Sequence, residues 1–119
     1  MDELRDRMRI IQELVPGKQI TIAHIIANPD EVLYQKLGLD PAAEHSGAIG
    51  IVTMSPSETA IIAGDIAIKT SGAELGFVDR FSGTLIVTGT VSQVEEALRA
   101  VCDYCESKLG FTVCDITKT

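Results

Sequence analysis

"GAIGIVTMSPSETAIIAGDIAIKT", residues 47–70, decides the fold, because it sets an apolar, β-branched run directly before a helix and places a start signal between them. "GAIGIVTM" is dense in Ile, Val and Thr, residues that suit a pleated, buried strand. "SPSE" from Ser55 has capping-box spacing, an N-cap hydroxyl followed three residues later by Glu, with Pro56 at the first helical position where its missing N–H costs nothing. The pattern predicts a helix over residues 56–70, closed by Gly72 in a left-handed turn.

The same punctuation recurs on both sides. "NPDE" from Asn28, with Pro29, runs to Gly38, and "SQVE" from Ser92 runs to Gly110, which predicts helices over 29–37 and 93–109. "QITIAHII", "AELGFVDRF", "TLIVTGTV" and "FTVCDIT" read as further strands. From Ala48 onward the order is strand, helix, strand, strand, helix, strand. That is the split βαβ order, so the fold class is α+β: a ferredoxin-like antiparallel sheet with helices on one face. The apolar run in "MRIIQELVPGKQ" breaks at Pro16-Gly17 and reads as a β arm entering the first full strand. The expected division is an arm over residues 1–18 and one domain over 19–119, with residues 37–47 as a mobile loop.

Composition narrows the function. The chain has 119 residues, 45% apolar and 23% charged, which is globular and enough for one core. Its net charge is −7 with ten scattered Lys and Arg, so no basic stripe exists to neutralise phosphates and nucleic acid is not expected as a partner. No apolar run reaches the length of a membrane span or forms the core of a signal peptide, so a cytoplasmic location with no membrane partner is the expectation. Three cysteines fit reduced thiols better than a disulfide framework.

The helix over 56–70 is apolar on two sides: Ile62 and Ile66 share one, Ile61 and Ile68 point elsewhere, and Ala60, Ala63, Gly64 and Ala67 fill between. A lone domain needs one apolar stripe, so the second side calls for another chain. Asp65 and Lys69, four apart, are placed to pair on the surface.

Catalytic candidates are thin. Cys102 and Cys105 form a C-x-x-C, but mid-helix, away from the N-terminal dipole that activates a redox thiol. Cys114, His24 and His45 supply no second paired motif for zinc, and His24 reads as a satisfied strand histidine. "SGAIG" lacks the phosphate-loop pattern and precedes a strand. No enzyme, metal or cofactor is expected.

Taken together, "RIIQELVPGKQITIAHIIANP", "AIGIVTMSPSETAIIAGDIAIK" and "GFVDRFSGTLIVTG" resemble the bacterial microcompartment (BMC) shell proteins, in their circularly permuted, EutS/PduU-like group. The likeness spans essentially the whole chain. In the usual family order, a strand and short helix resembling "HIIANPDEVLYQKLG" come last, whereas here they come first. The family's strand-end P-R-P appears as Ala27-Asn28-Pro29 and its R-G-D as Thr88-Gly89-Thr90, so contacts made through those arginines do not carry over. With the displaced strand already near the N-terminus, "FTVCDIT" and that strand compete for one place in the sheet.

The resemblance implies a non-catalytic homohexameric tile. Such a tile would build a polyhedral shell, control small-molecule passage, and meet other shell proteins and the targeting peptides of encapsulated enzymes. Ethanolamine, propanediol or choline catabolism would be enclosed. By the same resemblance Lys69 sits at the hexamer edge, and Met8, Ile10, Ile11, Leu14 and Val15 lie on an arm, six copies of which close a barrel over the axis. Asp79, Arg80, Phe81, Ser82 and Gly83 take the place of the pore-lining turn, with Asp79 and Arg80 read as a ring of linked charges. A ferredoxin-like regulatory module binding a small ligand between subunits is the alternative, and a thiol redox enzyme a third reading.

Overall fold

The computed structural model describes residues 17–39 and 47–119. Strand β1 (Gln19–Ala27) leads to a short helix α1 (Glu31–Leu37), and β2 (Gly47–Ser55) to α2 (Thr59–Thr70). The hairpin of β3 (Glu74–Asp79) and β4 (Thr84–Thr90) follows, then α3 (Val91–Leu109) and two short strands, β5 (Thr112–Val113) and β6 (Thr117–Lys118). The sheet order is β3-β4-β2-β1-β5, with β6 also on β1.

The place beside β2 belongs to β1, which pairs with it antiparallel from Gln19↔Ser55 to Ala27↔Ala48. That long register leaves "FTVCDIT" only the outer edge, where it becomes two short pieces running parallel to β1. The competition is settled by length, since nine residues of β1 offer far more ladder than the end of the chain.

Alternation along β2 divides the core. Ala48, Val52 and Met54 face α2 and α3, together with Ile25 of β1, Leu85 and Val87 of β4, and Leu98 and Val101 of α3. Gly50 lets α3 seat directly on the sheet, because a Cβ there would lie 2.7 Å from Leu98 Cδ1 and Val94 Cγ1. Ile49 points the other way, into a second cluster with Tyr34 and Leu39, bordered by Ile26, Ile51 and Ile86. The two helices of the split βαβ unit, α2 and α3, share one face as expected, and α1, which precedes that unit, covers the opposite face, where the alternate apolar residues need a lid.

Helix starts also differ from the reading. Asn28 adopts a left-handed φ of 51°, which asparagine tolerates, and Asp30 becomes the N-cap, accepting the Val32 N–H at 3.0 Å. Thr90, not Ser92, caps α3: its Oγ1 accepts the Gln93 N–H at 3.1 Å and Gln93 Oε1 accepts the Thr90 N–H at 2.9 Å. Before α2 the Ser55–Pro56 peptide is cis, and the carbonyls of Pro56, Ser57 and Glu58 accept the N–H groups of Thr59, Ala60 and Ile61, each at 3.1 Å. A hydrogen-bonded turn thus replaces the side-chain cap. Gly38 and Gly110 close their helices left-handed as read, but α2 ends at Ser71 in extended backbone. Gly72 serves close packing instead, since a Cβ would lie 2.5 Å from Gln93 Nε2.

Candidate functional site

The β3–β4 register ends at Asp79↔Thr84, so Arg80, Phe81, Ser82 and Gly83 form the hairpin tip. Asp79 organises it. Its Oδ1 accepts the Phe81 N–H at 2.9 Å, its Oδ2 accepts the Ser82 hydroxyl at 2.8 Å, and its main-chain oxygen accepts the Gly83 N–H at 2.9 Å. The Phe81 N–H first, then the Ser82 hydroxyl, hold the Asp79 carboxyl below its usual range. A carboxyl lowered by folding adds stability above the ordinary Asp range and loses it as pH falls through the lowered value.

Arg80 lies over Phe81, with its guanidinium carbon 4.9 Å from the ring centroid. Phe81 itself is 80% exposed, an unusual position for a ring on a lone chain. Within one chain, then, the carboxylate of Asp79 turns back into its own turn while the Arg80 guanidinium rests on an aromatic face.

Two tip contacts went unread in the sequence. Thr84 Oγ1 lies 3.0 Å from Ser82 Oγ, and the Gly83 carbonyl accepts the Met54 N–H at 2.9 Å, fastening the tip to the end of β2. Gly83 has a φ of 74°, and any Cβ there would run into the Met54 carbonyl oxygen. The Ser-Gly-Thr run was the available signal, since a glycine between two hydroxyl residues after an Asp marks a tight turn.

The second candidate surface is α2. Its small residues Ala60, Ala63, Gly64 and Ala67 are buried, while Ile61, Ile62 and Ile68 stand 53%, 45% and 49% exposed. Between the isoleucine flanks Lys69 Nζ meets Asp65 Oδ2 at 2.9 Å on the open surface, and that carboxylate raises the lysine above its usual value. The surface pair expected from the four-residue spacing is present.

The remaining candidates are quiet. Cys102 is pushed up to about 12 by burial, with Cys114 and Cys105 adding to it, and burial raises the thiols of Cys105 and Cys114 as well. Thiols so protonated do not act as nucleophiles at neutral pH. His24 is held by two hydroxyls, Nδ1 to Thr117 Oγ1 at 2.6 Å and Nε2 to Thr119 Oγ1 at 2.9 Å, the satisfied strand histidine of the reading. Among the described residues no helix is long and apolar enough to cross a membrane, and no three His, Cys, Asp or Glu are placed to hold a metal. His45, the arm residues Met8, Ile10, Ile11, Leu14 and Val15, and most of the loop over 37–47 lie outside the described residues.

Comparison with known proteins places these surfaces in context. The BMC domain matches residues 48–117. The chain is 52% identical over 114 residues to the bacterial microcompartment shell protein EutS of Salmonella typhimurium, covering 96% of this chain and 99% of the relative. It is 53% identical over 111 residues to the shell protein PduU of the same organism, covering 93% of each. Against the shell protein CutR of Streptococcus intermedius it is 48% identical over 119 residues, covering 100% of this chain and 99% of the relative. Solved structures agree: a CutR flat hexamer superimposes with a TM-score of 0.81 at 47% identity, covering 88% of this chain and 94% of that one. A CutR screw of 41.9 Å pitch gives 0.79 at 46%, covering 87% and 100%.

Proposed function

The chain belongs to the BMC-domain family of bacterial microcompartment shell proteins, and we propose that it works as a tile, six copies closing into a ring and rings packing into the shell. Members of this family are structural and not enzymes, and family membership does not favour the ligand-binding regulatory module. By its relatives, the enclosed pathway is of the ethanolamine, propanediol or choline type.

One observation carries the tile reading. Helix α2 turns its small residues inward and leaves isoleucines on both outer flanks, so its packing is finished only by a neighbour. A neighbour bound head to tail gives a ring when the rotation closes and a helical filament when it does not. CutR, solved both as a flat hexamer and as a screw, shows both outcomes for one chain. Light scattering with negative-stain microscopy tests the proposal: closed six-membered rings support it, and a monomer or dimer at micromolar concentration sinks it.

Three finer assignments follow from the same reading. Lys69 makes the ring-to-ring contact, in competition with Asp65. The Lys69→Ala protein is expected to keep its rings but lose extended sheets or tubes under the microscope; sheets that persist would count against this role. The tip from Asp79 to Gly83 lines the axis of the ring. Ser82→Cys chains are then expected to link to one another on mild oxidation beyond any linking of the parent protein, in which Cys102 and Cys105 are buried and Cys114 is half-buried. A Ser82→Cys ring that yields no linked chains would remove the tip from the axis. The arm over residues 1–18 forms the barrel above it, and ring edges meet other shell proteins, with targeting peptides docking on the ring.

A further inference from the structure

We propose that the groove along the β6 edge of each copy is the socket for the α2–β3 flank of the next, and that Arg99 in its wall takes Asp65 of the neighbouring copy away from Lys69. This rests on the reading that six copies close head to tail with their tips at the axis.

The two surfaces lie at opposite edges of one sheet, β3 at one and the short strands β5 and β6 at the other. The tip is fastened to the Met54 end of β2, so tips at the axis send the strands outward and turn these two edges toward the neighbours. Rotation about the axis changes neither the distance of a residue from it nor its height. What one edge presents in a given cross-strand row therefore meets the other edge in about the same row. One such row runs from edge to edge through Leu75, Val87, Gly50, Ile25 and Lys118. Both of its ends lie on the helix-covered face: Leu75 approaches Gly64 of α2, and Ile25 shares a core cluster with Val94 and Leu98 of α3.

At the far end of this row a groove opens between the β6 segment and α3. Ile25 is its floor, Ile116 and Lys118 form one wall, and Glu95 and Arg99 form the other. Ile116 is 37% exposed there, just as Leu75 and its neighbours Ile61 and Ile68 stand exposed at the opposite edge. Each edge thus carries apolar surface that its own chain leaves uncovered, at matching distance from the axis and on the matching face.

Charge fits the same pairing. Glu95 is taken by Lys118 at 3.0 Å, and among the described residues neither Glu96 nor Asp103, each within a turn of Arg99, forms an ion pair with it. Across the edge, Asp65 follows Ile61 by four residues and precedes Ile68 by three, which puts the three side chains in one strip. The side chain of Gln93 stands where a Cβ of Gly72 would, so α2 ends beside the start of α3 and the two run antiparallel. Arg99 and Asp65 each lie about two turns in from that junction, hence at about one distance from the axis. In a single chain Asp65 holds Lys69 on the open surface, where such a pair is weak. An arginine fork at a partly covered edge holds a carboxylate in two bonds and outcompetes the lysine. Closing the ring then frees Lys69 for the contact between rings.

The test joins the two edges covalently. A full-length chain with Leu75→Cys and Ile116→Cys, and with Cys114→Ser to remove the half-buried thiol, cannot close that bond on itself, since the two positions lie at opposite edges of its sheet. Mild oxidation is expected to give a ladder of linked chains on denaturing gels, while Leu75→Cys alone and Ile116→Cys alone, each with Cys114→Ser, give none. Particles of full ring mass that yield no ladder overturn the socket and leave the tile standing, whereas a parent protein of monomer mass overturns the ring reading beneath both. The ion pair is read by dilution. Arg99→Glu is expected to raise the chain concentration at which rings come apart by about tenfold or more, and Asp65→Arg added to it to recover most of that loss. Unchanged dissociation of the Arg99→Glu ring, or no recovery in the double variant, removes Arg99 from the contact.

Discussion

Ile61→Asp is expected to yield a folded chain of 12.8 kDa that no longer forms rings. Ile61 and Ile68 are two helical turns apart on one flank of α2, with Gly64 beside them. A Cβ on Gly64 would lie 3.4 Å from Leu75 Cδ1, which brings β3 against that flank, and Leu75 is itself 43% exposed. The three side chains make one apolar patch at the open edge of the sheet, where β3 has a partner on one side only. Burying an isoleucine there is worth about 1.5–3 kcal/mol per interface. An aspartate forfeits that and brings an unpaired charge into an apolar contact, a further cost of about 1–3 kcal/mol or more. The sum weakens each interface by roughly two to four orders of magnitude. The fold is spared, since an acidic residue in the first turn of a helix suits its dipole. Light scattering reads the loss and far-UV circular dichroism the retained helix; an Ile61→Asp protein with the full mass of a ring would rule this flank out of the interface, and Ile61→Leu is expected to assemble normally.

The strands and two helix ends were legible because their signals are local. β1 and β2 fall within a residue or two of their apolar runs, and Gly38 and Gly110 close helices as their chemistry requires. Helix starts were misplaced by two or three residues because capping chemistry is redundant in this chain. Thr90-Val-Ser-Gln93 satisfies the same pattern as Ser92-Gln-Val-Glu95, and Asp30 competes with Asn28 two residues earlier. Which residue wins depends on where the strand stops pairing: β4 holds Thr90 opposite Gly47, so the helix begins as soon as that ladder ends. The outer edge of the sheet was not legible at all, because a choice between two segments for one place is a choice of long-range pairing energy. The orientation of α2 lay between these cases. Its two apolar flanks were visible in the spacing, but the burial of alanines ahead of isoleucines reflects a close helix-to-sheet approach that only Gly64 hinted at. At the hairpin, Asp79 and Arg80 were identified together, yet a linear sequence does not say whether a carboxylate turns toward a cation or toward its own backbone. Two hydrogen bonds within three residues made the second choice.

Gly83→Ala is expected to be the most costly single change at the tip, about 2–5 kcal/mol in unfolding stability. Two effects add. A left-handed φ of 74° costs a residue with a Cβ about 1–2 kcal/mol. The added methyl also meets the Met54 carbonyl oxygen, main chain that cannot rotate away, so the strands must part at a cost of about 1–3 kcal/mol. The casualty of that movement is the hydrogen bond from the Met54 N–H to the Gly83 carbonyl, and with it the anchor between tip and β2. Urea unfolding at matched chain concentration measures the loss, because ring formation adds to apparent stability. Ser82→Ala is the control, since it removes an exposed hydroxyl and is expected to cost about 1 kcal/mol or less. A Gly83→Ala protein within about 0.5 kcal/mol of the parent would show that the tip is not fastened as described. The α2 flank lies outside this anchor, so rings of Gly83→Ala should still assemble while their tips no longer stand in register.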